Sequence, residues 1–208
     1  MERNYFISIY TNQIKKYCDD IFFKRVNEVS KGNPVCIVDN SETSDYLETL
    51  RIRYNYPNFS FHHIKISSGT DKAKSFRNIE ESVNYIRNIY LQTNIGKFLI
   101  LESDTIPPIN LLERFDATIR TLPKKWGILG AIYYHGYHNM EAKGLHKQNQ
   151  ALSGCTVYKR ELIEKYPFRY DENNLGAYPD YWICHDSRNE FEIYNHYDIR
   201  CEHLSPNK

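Results

Sequence analysis

The chain has 208 residues, of which 41% are hydrophobic and 25% are charged, proportions that are ordinary for a folded, soluble domain. Its formal net charge is +1 at pH 7, so there is no electrostatic reason to expect a nucleic-acid partner or an anionic membrane surface. This length suits one domain, residues 1–208, and no stretch approaches the roughly 18 to 20 apolar residues of a transmembrane segment.

The N-terminal segment predicts a strand over 6–10 and not a signal peptide, because its apolar run is short and no small-residue cleavage site follows. The five cysteines are Cys18, Cys36, Cys155, Cys184 and Cys201. They are odd in number and include no CxxC pair, so neither a disulfide framework nor a zinc site is expected. A reducing, cytoplasmic location fits this usage best.

Short apolar runs alternate with amphipathic stretches over the first two thirds of the chain. The apolar runs predict strands at 6–10, 35–38, 61–66, 97–101 and 126–133. Apolar residues that recur at threes and fours predict helices over 72–93 and 109–121. This alternation predicts an α/β fold: a three-layer α/β/α sandwich around a mainly parallel, Rossmann-like sheet. In such sheets, ligands bind beyond the carboxyl ends of the strands.

The character of the sequence changes after residue 133. The stretch 134–150 is rich in His, Gly, Asn and Lys and lacks periodicity, so we expect a long surface loop there. Its histidines fit no common ligand spacing and do not predict a second metal site; they are His135, His138 and His146. The chain then predicts a strand at 151–158, helices at 160–166 and 180–188, and a last strand around 191–194.

The most informative string runs from Phe98 to Pro108. A buried apolar strand ends abruptly in two acids, Glu102 and Asp104, and a proline-fixed turn follows. Because side chains at i and i+2 of an extended segment point the same way, the two carboxylates are expected to converge. They could then hold a hard divalent cation and a ribose hydroxyl, the alternative being a pair of surface acids.

This string resembles the DxD-type motif of GT-A glycosyltransferases, with Glu in the first acidic place. The segment Val38-Asp39-Asn40-Ser41 resembles one whose Asp contacts the nucleotide base, which would give that role to Asp39. Thr11 follows the first strand, where the family's N-terminal loop also touches the nucleotide. Arg77 and Asn78 match the start of a helix that approaches the donor.

The order of the remaining motifs resembles the inverting, family-2-like branch of that fold. The segment 153–162 is similar to its glycine-bearing strand and the helix that follows. Tyr178–Trp182 aligns with the segment that supplies the catalytic base; the base would be Asp180, with Pro179 where the family has Glu. The segment 191–204 resembles a C-terminal stretch whose histidine is a metal ligand, which would be His203.

The resemblance implies a transfer of a hexose-type sugar from a UDP- or GDP-linked donor to an acceptor hydroxyl, with inversion. The acceptor could be a glycan, a lipid or a protein. The chain lacks GxxxxGK[ST] and GxGxxG loops, so a cation would have to neutralise the departing diphosphate. We expect Mn²⁺ or Mg²⁺ on Glu102, Asp104 and His203, the imidazole favouring Mn²⁺. Residues 1–133 would bind the nucleotide sugar, and 134–208 would serve the acceptor and catalysis.

Several of these residues have plain structural alternatives. Asp180 could cap a helix, and Asp39 could open a turn with the two residues that follow it. His203 could be a loose surface residue, and Arg77 a solvated helix residue. Rival candidates for the base are Asp171, Glu172 and Asp186.

Two rival functions are also open. A non-catalytic module that binds sugar nucleotides or glycans, on a decayed transferase scaffold, is suggested by Glu102 and Pro179. A nucleotidyltransferase would need a glycine-rich, arginine-bearing loop after the first strand, and residues 11–16 do not provide one.

Overall fold

The computed structural model describes residues 3–65, 72–133, 142–151, 154–173 and 177–206. Its strands are β1 (Tyr5–Thr11), β2 (Val35–Asp39), β3 (Phe59–His63), β4 (Lys97–Leu101), β5 (Thr105–Ile106), β6 (Trp126–Tyr133), β7 (Leu145–Gln148), β8 (Cys155–Lys159) and β9 (Glu192–His203). Its helices are α1 (Asp19–Ser30), α2 (Asp45–Arg53), α3 (Lys72–Leu91), α4 (Leu111–Ile119), α5 (Arg160–Lys165) and α6 (Pro179–Ser187). A 3-10 helix, Gln13–Cys18, leads directly into α1.

The strands form a mixed sheet in the order β3-β2-β1-β4-β8-β6-β9-β5, with β7 paired to β9. The first four strands are parallel, and the ends of β1 and β2 are aligned because Thr11 pairs with Asp39. β8 then runs antiparallel to both β4 and β6, while β6 and β9 are parallel. The expected α/β sandwich is confirmed, and its sheet joins a parallel, Rossmann-like half to a mixed half.

Helices cover both faces of this sheet and create two cores. Within β1, Tyr5, Ile7 and Ile9 contribute to the core beneath α1, α2 and α4, whereas Phe6 contributes to the core beneath α3, α5 and α6. The parallel strands are therefore buried on both faces, which explains their uninterrupted apolar runs. Fully burying a side chain as large as Phe or Ile contributes about 1.5–3 kcal/mol to stability.

The helices expected over 72–93, 109–121, 160–166 and 180–188 are confirmed as α3, α4, α5 and α6, with ends that differ by one or two residues. The first strand is also confirmed. The last strand was expected around 191–194 but extends from Glu192 through His203, because pairing with β6, β7 and β5 in turn satisfies its backbone.

The prediction of a surface loop over 134–150 is wrong in part. Residues 145–148 form β7, which pairs antiparallel with β9. A strand paired at the edge of a sheet obtains its hydrogen bonds from its neighbour, so it forms without any hydrophobic periodicity of its own. His146 lies in β7, where its ring packs against Tyr197. His135 and His138 lie outside the described residues.

No helix among the described residues is both long and apolar enough to cross a bilayer. All five cysteine thiols are free and buried.

Gly127 lies in β6 beneath α5 and has no room for a side chain. A Cβ atom built there would lie 2.6 Å from Leu162 Cδ1 and 2.6 Å from Phe191 Cβ. Both neighbours belong to the packed core or its margin, so neither can move without opening a gap elsewhere.

We expect Gly127→Ala to lower the free energy of unfolding by about 1–3 kcal/mol through overpacking. The measurement is urea denaturation followed by circular dichroism. Gly96→Ala is the matched control, because a Cβ at Gly96 meets nothing within 4 Å. Equal stabilities for the two variants would contradict this account of the β6 contact.

Candidate functional site

Polar side chains meet at the carboxyl edge of the parallel strands. Thr11 ends β1, Asp39 ends β2, and Glu102 directly follows β4. Because these strands are adjacent and parallel, their ends lie side by side at one edge of the sheet. This is where α/β sheets bind ligands.

Asp39 is fully buried, and both of its carboxylate oxygens have partners. Oδ1 accepts hydrogen bonds from the backbone N–H of Ser41 at 3.0 Å and from its hydroxyl at 2.5 Å. Oδ2 lies 3.2 Å from Nδ1 of His63 at the end of β3. Asp39 thus forms the turn that the sequence left open as the alternative to a role in binding.

The chain turns sharply between Glu102 and Thr105, because the backbone N–H of Thr105 donates to the carbonyl of Glu102 at 2.9 Å. The two acids therefore do not share one extended segment. Glu102 lines a cavity with Tyr10 and Asp180 on the α3 and α6 side, whereas Asp104 contacts Lys15 of the 3-10 helix. This turn, and not an extended strand, therefore sets the relative position of the two carboxylates.

Gly154, directly before β8, supports this turn. Its carbonyl accepts the backbone N–H of Glu102 at 2.8 Å. Its φ of +95° lies in the region that favours glycine, and a Cβ there would meet Thr105 Oγ1 at 3.0 Å. The glycine therefore allows β8 to approach the acidic turn closely.

Asp104 is only 3% exposed, and its side chain lies between those of Lys15 and His203. Its Oδ2 forms an ion pair with the ammonium group of Lys15 and lies 3.6 Å from Nε2 of His203. His203 is brought there by the pairing of β5 with β9, in which Thr105 opposes His203. The backbone N–H of Leu204 also donates to the carbonyl of Asp104 at 2.8 Å.

The second carboxylate oxygen of Asp104, Oδ1, is buried and has no hydrogen-bond partner among the described residues. A buried, unpaired carboxylate oxygen beside an imidazole has the chemistry of an incomplete cation site. No group of three or more His, Cys, Asp or Glu side chains in the described chain is arranged to hold a metal ion. Asp104 and His203 thus fit a divalent ion whose remaining contacts come from water, or from water together with a bound nucleotide.

Glu102 lies in a very different environment from Asp104. The hydroxyl of Tyr10 donates to its Oε1 at 2.8 Å. Burial, followed by the charge of Asp104, raises the pKa of Glu102 to about 7, with the Tyr10 hydrogen bond opposing the shift and Asp180 adding to it. Glu102 can therefore accept or release a proton near neutral pH.

Asp180 faces Glu102 across the cavity from the first turn of α6. Pro179 begins this helix, a position that suits proline because its missing N–H would have no partner there. Burial raises the pKa of Asp180 to about 6, against the opposing hydrogen bonds of the backbone N–H groups of Asp180 and Tyr181. The N-cap position belongs to Tyr178, so Asp180 is not the N-cap but an acid of the first turn that lines the cavity. The cavity measures about 20 Å³, room for one water molecule.

The three rival bases are engaged elsewhere. Asp186 forms a two-bond ion pair with Arg169, at 2.6 and 2.9 Å, and this pairing lowers the pKa of Asp186. Glu172 pairs with Arg77 on the surface. Asp171 accepts the backbone N–H of Asn173 at 2.9 Å. None of the three lines the cavity that Glu102 and Asp180 share.

Arg77 and Asn78 lie near the start of α3, and their environments differ. Arg77 is exposed and lines an open groove of about 520 Å³ with other residues of α3. Asn78 is partly buried, and its side-chain oxygen has no hydrogen-bond partner among the described residues. The surface environment of Arg77 agrees with the solvated alternative left open by the sequence.

Sequence reasoning missed Lys15 and Tyr10. Tyr10 lies near the end of β1, and Lys15 lies in the 3-10 helix that follows it, on either side of the predicted nucleotide contact at Thr11. The parallel pairing of β1 with β4 brings that region against the Glu102–Thr105 turn. The sequence signal for these residues is only their place at or just after the end of the first predicted strand, whereas their partners depend on the strand pairing.

No protein-family model matches the sequence, and no curated protein matches it significantly. Solved structures do match the fold. The chain aligns over 100% of its length with 59% of the mannosyltransferase PcManGT from Pyrobaculum calidifontis, solved in complex with GDP-Man and Mn²⁺, at 13% identity and a TM-score of 0.69. It aligns over 97% of its length with 37% of S. aureus TarS, at 14% identity and a TM-score of 0.69. S. aureus TarS in complex with UDP-GlcNAc aligns over 92% of this chain and 58% of its own, at 13% identity and a TM-score of 0.64.

At these identities the likeness establishes the fold, which is the GT-A fold expected from the sequence. The chain spans 59% of the length of PcManGT and 37% of the length of TarS. It therefore corresponds to a part of each of these proteins.

Asp180→Asn should change the pH dependence of stability. A carboxyl group whose pKa rises on folding favours the folded state when protonated, so its contribution is lost as pH increases from about 4 to 6. The variant stays neutral, so it should be about 1–3 kcal/mol more stable than the wild type at pH 8 and equally stable near pH 4. Chemical denaturation across this range measures the difference.

Glu172→Gln is the control, since it neutralises an exposed carboxylate whose side chain is 68% accessible. Its stability difference from the wild type should be small at every pH. An Asp180→Asn difference that is equally large at pH 4 and pH 8 would contradict the assigned shift.

Proposed function

We propose that this chain is a glycosyltransferase that moves a sugar from a nucleotide-diphosphate donor to an acceptor hydroxyl, with the help of Mn²⁺ or Mg²⁺. The observation that carries the proposal is the group at the carboxyl edge of the sheet. There, Asp104 lies beside His203 with one carboxylate oxygen unpaired, while Glu102 and Asp180 share a cavity next to it. The GT-A fold adds support, since PcManGT with this fold was solved with GDP-Man and Mn²⁺ and TarS with UDP-GlcNAc.

In this proposal Asp104 and His203 would hold the cation, with a bound donor and water supplying the remaining contacts, and Glu102 would assist directly or through water. When bound, a divalent cation supplies positive charge for the departing diphosphate, an effect worth several kcal/mol. Glu102 serves better as an indirect ligand, because Tyr10 already donates to one of its oxygens.

Asp180 is proposed to accept the proton of the acceptor hydroxyl. With a pKa of about 6 it is mostly ionised at neutral pH, yet it is more basic than an ordinary carboxylate. General bases with pKa values close to the working pH contribute about 10²–10⁴-fold to rate. Attack from the face opposite the diphosphate would invert the anomeric centre.

The nucleotide is proposed to bind across Thr11, Asp39, Arg77 and Asn78. The side-chain oxygen of Asn78 has no partner among the described residues and could accept a hydrogen bond from the nucleotide. Asp39 would contact the base only if its Oδ2 gave up the contact with His63. Residues 1–133 would thus hold the donor, and 134–208 would complete the acceptor side as a single domain. A UDP- or GDP-linked hexose is the proposed donor, and the acceptor is a glycan, lipid or protein.

A non-catalytic module for sugar nucleotides is the second candidate. It is favoured by the ion pair between Lys15 and Asp104, which neutralises the very carboxylate that a cation would need. Such a module would bind nucleotides without any requirement for metal and would release no nucleoside diphosphate.

Donor turnover tests the catalytic proposal. Purified protein is incubated with UDP-glucose, UDP-GlcNAc and GDP-mannose, with Mn²⁺, Mg²⁺ or EDTA, and release of UDP or GDP is measured. We expect release from one donor, lost in EDTA, and a fall in kcat of about 10²–10⁴-fold for Asp180→Asn with little change in KM. Asp171→Asn is the matched control and should keep wild-type rates. Metal-independent binding without turnover would favour the second candidate.

Asp104→Asn tests the cation site without any turnover. UDP or GDP with Mn²⁺ at about 100 times its Kd should stabilise the wild type by about 2.7 kcal/mol, which a thermal-shift assay detects as a higher Tm. The variant should lose the part of this shift that depends on Mn²⁺. Asp45→Asn, which changes an exposed residue of α2, should retain it. A full Mn²⁺-dependent shift in Asp104→Asn would exclude Asp104 as a ligand.

A further inference from the structure

Lys15 forms an ion pair with the carboxylate of Asp104, and contacts on both sides hold its backbone in place. The 3-10 helix that carries it is capped by Asn12, whose side chain accepts the backbone N–H of Ile14 at 3.0 Å. The thiol of Cys18 contacts the carbonyl of Lys15 at 2.8 Å and that of Ser103 at 2.9 Å. One thiol therefore connects the backbone of Lys15 to the residue that precedes Asp104.

The two charged side chains differ in their access to water. The Asp104 side chain is 4% exposed, whereas that of Lys15 is 35% exposed. An ionised carboxylate this deeply buried requires a nearby positive charge, and Lys15 supplies it. The long, partly exposed lysine stem can leave that position, whereas the carboxylate cannot.

A divalent ion on Asp104 and His203 would compete with the ammonium group of Lys15 for the charge of one carboxylate. Both cations would contact one carboxylate at a separation of a few ångströms, where like charges repel strongly in a poorly solvated site. If the ion binds there, as the proposed function holds, this repulsion favours movement of the lysine away from Asp104. The nearest new negative charge would be the diphosphate that accompanies the ion.

We propose that Lys15 is an exchangeable counter-charge. It neutralises Asp104 when no metal is bound, and it is displaced by the metal onto the diphosphate of the nucleotide. The inference rests on the proposed function for the identity of the second partner. It makes Lys15 a competitor of the metal and, at the same time, a ligand of the nucleotide.

This double role predicts effects of opposite sign when the charge is removed. Without Lys15, Asp104 has no internal partner, so metal alone should bind more tightly. The diphosphate loses one ammonium contact, so the nucleotide should bind more weakly. A lysine that only stabilised the fold would leave both affinities unchanged, and one that only bound phosphate would leave the metal affinity unchanged.

The test compares Lys15→Met with Lys16→Met, a neighbouring lysine that is exposed. Free Mn²⁺ is titrated with protein and followed by electron paramagnetic resonance, and UDP and GDP are then titrated by calorimetry at saturating Mn²⁺. For Lys15→Met we expect Mn²⁺ to bind at least about threefold more tightly and the preferred nucleotide about tenfold more weakly. Lys16→Met should match the wild type in both measurements.

Lys15→Arg keeps the charge and should stay close to the wild type in Mn²⁺ affinity, and Lys15→Gln replaces Lys15→Met if the latter fails to fold by circular dichroism. Unchanged or weaker Mn²⁺ binding on loss of the charge would overturn the proposal, as would an absence of Mn²⁺ binding in every variant. If Mn²⁺ binding tightens but no nucleotide binds the wild type, the competition at Asp104 stands and the proposed function fails.

Discussion

A carboxylate can stay ionised inside a protein only beside opposite charge or several hydrogen-bond donors, and the burial of Asp104 imposes this condition on the whole carboxyl edge of the sheet. Lys15 reaches it from the start of the chain and His203 from its far end. The β5–β9 pairing and the Cys18 contacts hold both neighbours in position. These contacts offset the cost of removing the negative charge of Asp104 from water.

Two acids that are neighbours in the sequence have different partners at this edge of the sheet. Asp104 lies on the side of α1, close to a cation, and Glu102 lies on the side of α3 and α6, close to Asp180. The turn at Glu102 creates this division, and Gly154 makes room for it. Burial then raises the pKa values of Glu102 and Asp180 toward neutrality. The carboxyl edge of the sheet thus carries Asp104, which is paired with Lys15, and two carboxyl groups with raised pKa values, those of Glu102 and Asp180.

The fold was largely predictable because two-sided burial produces long apolar runs and one-sided burial produces helical periodicity, and both patterns are visible in a single sequence. The order of motifs also linked Asp104 to His203, which the structure brings within 3.6 Å. The turn after Glu102, the strand β7 and the contact of Lys15 could not be foreseen in this way. Each depends on pairing between segments that are distant in the sequence, and local patterns carry no record of such pairing.

The length of β9 has a consequence for biosynthesis. This strand closes the mixed half of the sheet by pairing with β6, β7 and β5, and its last residue, His203, is the imidazole beside Asp104. During vectorial synthesis the parallel half can form on the ribosome well before β9 emerges. A nascent chain would therefore have the acidic turn but lack its histidine, and the assembled centre would arise only once translation had passed residue 203.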